Sequence, residues 1–346
     1  MSYITNFNIK KDLLNFDLNN QLNKINISLA NAIRRTIISD INTYIMDEKT
    51  VNFYTNNSIL NNEFLGHRLA LIPIISNLSN INYEKLIISC NKSNNSENIE
   101  SVYVHDFICT NSETNEIIDN DILFKYPNIL FSKLKYNQQL MFEAKLIKNN
   151  SENGGSFYCP VSTCIYCFKI DEMQVNQATE KMNDQEKQSF NTLQNQRLYE
   201  LNNDGNPNVY QFFIESIGFY DPKYILLSGL KLLIDRLNNL KVEFRNKDSK
   251  NVVLAENDEN QDFFYFLINN ENETLGNLLS TYITYDKNVF YCGYVIEHPL
   301  KKNFLFKIKL NENNNLENIL LIIEKNIDYI SDILNSIEKE AEMIKN

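Results

Sequence analysis

The sequence predicts an α+β fold in which one order of elements occurs twice, and three observations carry that prediction. Leu29-Ala-Asn-Ala-Ile33 and Leu275-Gly-Asn-Leu-Leu279 each sit near the start of an amphipathic helix, behind a strand-rich stretch. Each half then closes on a long helix with apolar residues at alternating steps of four and three. These are Leu226, Leu230, Leu233, Leu237 and Leu240 in the first half. In the second they are Leu316, Leu320, Ile323, Ile327, Ile330, Leu334, Ile337, Ala341 and Ile344. That spacing keeps side chains on one face of a helix and makes a coiled-coil-like seam. Finally, a strand-rich span broken by polar turns, residues 51–165, interrupts the first half.

In order along the chain, residues 1–50 and 166–245 are expected to form a first, discontinuous module. Ser28 is a candidate cap for a helix over Leu29–Ser39. Ala30, Ile33, Ile37 and Ile41 fall on one face of it, and Asn31, Arg34 and Arg35 on the other. The insertion, 51–165, turns at 91–98, 110–116 and 149–155. Residues 174–208 are polar with little apolar periodicity and predict an exposed, partly helical excursion. Asp221-Pro222 starts the long helix, since proline suits the first helical turn. Residues 246–261 are charged and polar and read as a linker. The second module, 262–346, predicts a strand at Phe263–Ile268, a polar turn at 270–274 and a helix over Leu275–Ile283. Strands follow at Asn288–His298 and Phe304–Leu310, joined by a turn around Pro299, and then a helix over Leu316–Ile344. Burying each large apolar side chain is worth roughly 1.5–3 kcal/mol, so stripes this long require a partner surface.

Composition narrows the function. Hydrophobic residues make up 43% and charged residues 22% of the 346, ordinary for a globular chain. The net charge is −11, and a protein that grips nucleic acid by its phosphates needs a basic surface. Action on DNA or RNA is therefore expected to run through partners, without direct specific nucleic-acid binding. The N-terminus lacks a signal-peptide core and no run of about 18 apolar residues occurs, so neither secretion nor a membrane span is expected. Asn, Ile, Lys and Tyr are abundant, beside 8 Gly, 6 Pro and no Trp. These preferences track AT-rich codons and point to genome bias.

Candidate chemistry is sparse. The chain has 3 His, too few for much triad or His-metal chemistry, and Gly154-Gly155 lacks the Gly-Lys-Ser/Thr of a phosphate loop. Cys159, Cys164 and Cys167 invite a zinc reading, but zinc wants four ligands, and Cys90, Cys109 or His105 would have to supply the fourth. Thiols of a strand are the expectation here, with no metal or other cofactor. No triple-aspartate metal signature occurs, and no catalytic residue is assigned.

The stretch from Leu29, Asn31, Ala32, Ile33, Arg34 and Arg35 through Asn42-Thr43 to His67, Arg68, Leu69, Leu71, Ile72 and Pro73 carries a family pattern. It resembles the third-largest subunit of RNA polymerase II, with its archaeal counterpart and the bacterial alpha subunit; Asn42 replaces the family's proline. Cys159-Pro160-Val161-Ser162 and the block from Ile214 to Leu237 fit the same family. The C-terminal stretch, with Leu275 to Leu279 and Gly293, Tyr294, His298 and Pro299, resembles the eleventh subunit of RNA polymerase II and the archaeal counterpart of that one.

The resemblance implies two alpha-type dimerisation modules, each an antiparallel sheet with two helices, packed as an intramolecular pseudo-dimer. Leu226, Leu230, Leu233, Leu237, Leu275, Asn277, Ile323, Ile327, Ile330 and Leu334 would line that contact. It also implies a non-catalytic platform within a nucleotidyltransferase complex, nucleating the two large catalytic subunits and binding two small zinc-binding ones. Asn31, Arg34, Arg35, His67 and Arg68 would form the assembly interface; arginine's planar fork suits such contacts. Fused versions are known among large DNA viruses, which would put the protein in host cytoplasm or virions, and otherwise in the nucleus. Two alternatives stay open: a zinc-bearing nucleic-acid-binding module around Cys159–Cys167, and a coiled-coil scaffold built by the last helix.

Overall fold

The computed structural model describes residues 2–20, 23–78, 81–255, 263–298 and 300–344. The hairpin β1 (Ile4–Lys10) and β2 (Leu13–Asn19) leads into α1 (Ile27–Ser39). The cap of α1 is Asn26, whose Oδ1 accepts from the Leu29 amide at 2.9 Å; Ser28, expected in that role, lies inside the helix.

The insertion then runs through β3 (Thr43–Met46), β4 (Asn52–Asn56), α2 (Asn62–Ala70), β5 (Leu86–Asn94), β6 (Glu100–Tyr103), β7 (Ile108–Asn111), β8 (Ile117–Ile118), α3 (Asn120–Leu123), β9 (Leu130–Leu134), β10 (Gln138–Asn149) and α4 (Ser151–Gly154). One sheet has the order β3-β10-β5-β7-β8 with β4 also on β10, and β6 pairs with β9. The expected turn at 91–98 is half strand, because β5 continues to Asn94 along β10.

The chain returns through β11 (Val161–Phe168). Two exposed helices follow, α5 (Glu172–Thr179) and α6 (Asp184–Leu193), before β12 (Val209–Ser216) and α7 (Pro222–Arg245). The first sheet has the order β1-β2-β12-β11. The insertion's borders differ from those expected. β3 pairs with β10, so the insertion's sheet begins at Thr43, whereas β11 closes the first module's sheet and takes 161–165 with it. Thr43 donates to the Tyr158 carbonyl and Tyr220 to the Asn42 carbonyl, fastening the insertion's stem.

The second half repeats the plan with β13 (Val252–Ala255), β14 (Phe264–Asn269), α8 (Glu273–Thr284), β15 (Val289–Val295), β16 (Asn303–Leu310) and α9 (Leu316–Met343). Its sheet order, β13-β14-β16-β15, copies the first. Residues 252–255, expected in a linker, pair with β14. The rest of that linker, its boundary at Asp262, and Pro299 lie outside the described residues. α8 begins earlier than expected because Asn272 caps it through the Thr274 amide.

Strand alternation fixes which faces pack. In β16, Phe304, Phe306, Ile308 and Leu310 are buried while the residues between them are not. Both modules share one hydrophobic core; the insertion has its own, in which Phe107 meets Phe131 and Phe142 edge-on at 5.3 Å.

Candidate assembly interface

The seam residues named from sequence meet across the two halves. Leu226, Leu230, Leu233 and Leu237 of α7, and Ile323, Ile327, Ile330 and Leu334 of α9, are fully buried. Polar contacts set the helices antiparallel. Lys223 Nζ donates to the Ile344 carbonyl at one end, while Lys241 pairs with Asp328 at 2.5 Å and Arg245 grips Glu324 through two 2.8 Å bonds at the other. The outermost seam residues Leu316, Leu320 and Ile344 are only partly buried. The last helix is thus docked inside the fold, which removes the basis for a free coiled-coil scaffold.

α1 and α8 cross in the same back-to-back sense. Leu275 is buried, and Asn277 Nδ2 donates to Ser28 Oγ at 3.2 Å. Ser28 and Thr281 share a 2.9 Å hydroxyl bond, and Arg35 Nε donates to Thr274 Oγ1 at 2.8 Å. If Leu29 is matched to Leu275, Ser28 matches Thr274 and Arg35 matches Thr281. The two bonds are then one contact seen from both sides, the signature of a two-fold, isologous interface. Where α7 crosses α1, a Cβ on Gly229 would stand 2.6 Å from Ile37 Cγ1, so the glycine lets the helices close.

The arginine pair divides. Arg35, expected to face a partner, also pairs with Glu273 at 3.0 Å and ties the two halves of this chain together. Arg34 holds Asn31 Oδ1 through Nε and Nη2 at 3.0 and 2.9 Å. It borders a groove of about 490 Å³ with Ile165, Tyr166, Cys167 and Phe168 of β11, an edge strand whose Ile165 is 52% exposed. His67 and Arg68 keep their partners within the insertion. His67 Nε2 lies 2.8 Å from Glu48, and Arg68 donates to the Phe131 and Leu130 carbonyls at 3.0 and 2.6 Å. Arg68 thus braces α2 against β9.

Sequence reasoning assigned no role to Arg236. Its side chain, only 19% exposed, lies between Asp40 at the end of α1 (2.5 Å) and Glu271 of the second half, and reaches Asn272 Oδ1 at 3.3 Å. Burial raises the Asp40 and Glu271 carboxyls above their ordinary range, against the pull of Arg236. The insertion enters the same cluster: Glu152 of α4 accepts from Asn272 Nδ2 at 3.3 Å, and Lys302 donates to Asn153 at 2.6 Å. The available signal was an arginine one position before the stripe residue Leu237.

The three cysteines do not converge. Cys164 and Cys167 have opposite parity on β11 and so point to opposite faces of the sheet. Cys164 is buried in the core, where burial pushes its thiol up to about 12. Cys167 shares the outer face with Gln211, and Cys159 precedes the strand. Cys90 and Cys109 are buried in the insertion's core, and His105 stacks on Tyr103. Among the described residues no helix is long and apolar enough to cross a membrane.

Comparison with known proteins identifies both halves independently. Residues 21–237 and 264–340 each match the RNA polymerase Rpb3/Rpb11 dimerisation domain. DNA-directed RNA polymerase subunit Rpo3 of Pyrococcus furiosus is 33% identical over 138 residues, covering 39% of this chain and 48% of the relative. Polymerase II subunit rpb3 of Dictyostelium discoideum is 34% identical over 116 residues, 33% of this chain and 35% of the relative. Polymerase II subunit RPB3 of Schizosaccharomyces pombe is 25% identical over 264 residues, 68% and 85% respectively. The chain thus spans about half or less of the length of the first two.

Proposed function

Because this chain belongs to the RNA polymerase Rpb3/Rpb11 dimerisation domain family, we propose that it is a non-catalytic platform subunit of a DNA-directed RNA polymerase. In this reading two alpha-type subunits are joined in one polypeptide, and the platform they build recruits the two large catalytic subunits and two small zinc-binding ones. One observation carries it: two modules of the family, in one chain, pair through an isologous helix contact. Tethering raises effective concentration, so pairing becomes part of folding. Arg34 and the exposed edge of β11 supply a cation beside apolar surface for a partner. Asn31 orients Arg34; Arg35, His67 and Arg68 act on the chain's own architecture.

The chain works without a metal of its own in this reading, supported by Cys164 and Cys167 facing opposite sides of β11. The codon-biased composition and the joining of two modules favour a large DNA virus as source, with the protein in infected-cell cytoplasm or virions. Cell fractionation tests that placement; a purely nuclear pool would overturn it.

The decisive experiment is affinity recovery of the tagged chain from its producing cells, with mass spectrometry of what accompanies it. Two very large proteins bearing the polymerase aspartate triad are expected, and Arg34→Glu should lower their recovery about tenfold. Recovery of the chain alone, or with nucleic acid only, overturns the reading.

A further inference from the structure

Among the described residues the insertion stands on two footings in its own half of the chain and on a third in the other half. Its core is separate from the core that the two modules share, so it is placed as a body of its own. The first footing is the stem. There Thr43 and Tyr220 bond across the chain crossing, and the Ser76 amide donates to the Phe219 carbonyl at 2.9 Å. The second lies on the hairpin turn of the first sheet, where Lys125 pairs with Asp12 and Tyr126 donates to the same carboxylate at 3.0 Å.

The third footing is α4, shaped by Gly154-Gly155. A Cβ on Gly154 would stand 2.4 Å from the Tyr158 ring, and Gly155 has φ +84°, which glycine adopts without steric cost. Tyr158 is anchored in turn: its hydroxyl donates to Asp47 at 2.9 Å and its carbonyl accepts from Thr43. With its back on Tyr158, α4 offers Glu152 and Asn153 to the second half. Asn153 Oδ1 accepts from Lys302 Nζ at 2.6 Å. Glu152 lies 3.8 Å from the same ammonium and accepts from Asn272 Nδ2 at 3.3 Å. Asn272 caps α8 and also accepts from Arg236. α4 therefore rests on the start of a helix that makes the pairing contact, and Lys302 and Asn272 are brought to it by the docking of α8 on α1 and α9 on α7.

We propose that α4 is a latch through which the paired second half fixes the pose of the insertion. With the halves docked, Lys302 and Asn272 hold α4, and the insertion does not rock about its stem. With the latch released, the insertion keeps its first-module footings and swings on them. Pairing and pose are then coupled, and linkage makes that coupling reciprocal. The consequence for assembly rests on the platform reading: a partner that spans the insertion and the modules meets its complete surface only on a chain whose halves have docked.

The test is a distance measurement on the purified full chain. Spin labels on unnatural side chains replace Ile99 beside β6 and Leu321 on α9, and a control pair replaces Val242 on α7 and Leu321; these positions are 61%, 62% and 64% exposed for Ile99, Leu321 and Val242. A single distance is expected for each pair in the wild-type background. Glu152→Lys sets a like charge against Lys302 and should raise the Ile99–Leu321 population at other distances about tenfold. Asn153→Ala, a milder surface change, should move the same pair in the same direction, and the control pair should keep one distance throughout. If Ile99–Leu321 keeps one distance in both variants, the first-module footings hold the insertion by themselves and the latch is overturned. It is equally overturned if the control pair spreads as well, since Glu152 then holds the halves together and not the insertion. The measurement uses no partner, so failure of the latch leaves the platform reading standing, and failed recovery of polymerase subunits leaves the latch standing.

Discussion

The ends of α1 and α8 are chemically alike and energetically unlike. Each helix starts on an asparagine cap and is followed by an aspartate, Asp40 or Asp286. Asp40 is matched by a largely buried arginine that reaches across to Glu271 of the other half. Asp286 is matched within its own half by Lys325, 71% exposed. One sequence plan thus yields an ion cluster shared by both halves where the insertion returns and, where the chain turns directly into β15, a pair within one half whose lysine is exposed while its aspartate side chain is only 8% exposed. A repeated backbone scaffold is enough to pair the halves. The cation that meets each aspartate, a largely buried arginine shared between the halves or an exposed lysine within one, makes their two sides different.

Removing the arginine should separate the two sides most. Arg236→Met leaves Asp40 and Glu271 buried without their cation and is expected to cost about 3–5 kcal/mol in urea unfolding of the full chain. Lys325→Met, which removes the exposed lysine of the counterpart pair, should cost less than about 1 kcal/mol. Equal effects would mean that buried charge does not distinguish the halves.

A smaller effect probes helix spacing. α7 carries Gly229 against Ile37, whereas α9 has no glycine at all. Gly229→Ala adds a methyl within 2.6 Å of Ile37 Cγ1 and should cost about 1–3 kcal/mol through overpacking. The helix propensity gained by replacing glycine works the other way. A stabilised variant would show that α1 and α7 have room to spare.

The parts of this comparison that were legible in sequence were the local ones. The seam of α7 and α9 follows from helical period, and the repeat at Leu29 and Leu275 marked the right register. The borders of the insertion were not legible, because they depend on which distant strand β3 and β11 pair with, and no period encodes that. β13 is four residues in a polar run and resembled a linker for the same reason. Arg35 stood on the polar face of α1, as expected, but a helix pattern does not say that another helix's polar start will cover that face. Arg236 sat beside an apolar stripe, where a charged residue ordinarily reads as a solvated flank.

The smallest expected effect is a gain in stability on acidification that only the Asp40–Glu271 side should show. Burial raises the folded-state pKa of Asp40 and Glu271 above their ordinary 3.8 and 4.5. For such acids the folded state holds its proton more tightly than the unfolded state. Their contribution therefore favours folding most at low pH and is lost as pH rises from the unfolded values through the raised folded ones. At Asp286 the direction reverses: although burial opposes it, the Lys325 bond lowers that carboxyl below 3.8. Its stabilisation is present above the unfolded value and is lost as pH falls through the folded one. Comparing the wild-type chain with the Asp40→Asn/Glu271→Gln double variant by thermal unfolding isolates the Asp40–Glu271 side. The wild type should gain on the variant as pH falls toward the ordinary carboxylate values, whereas comparison with Asp286→Asn should show no such gain. Parallel curves for all three proteins would mean that Asp40 and Glu271 are not held above their ordinary values, and the contrast between the two sides would then rest on shape alone.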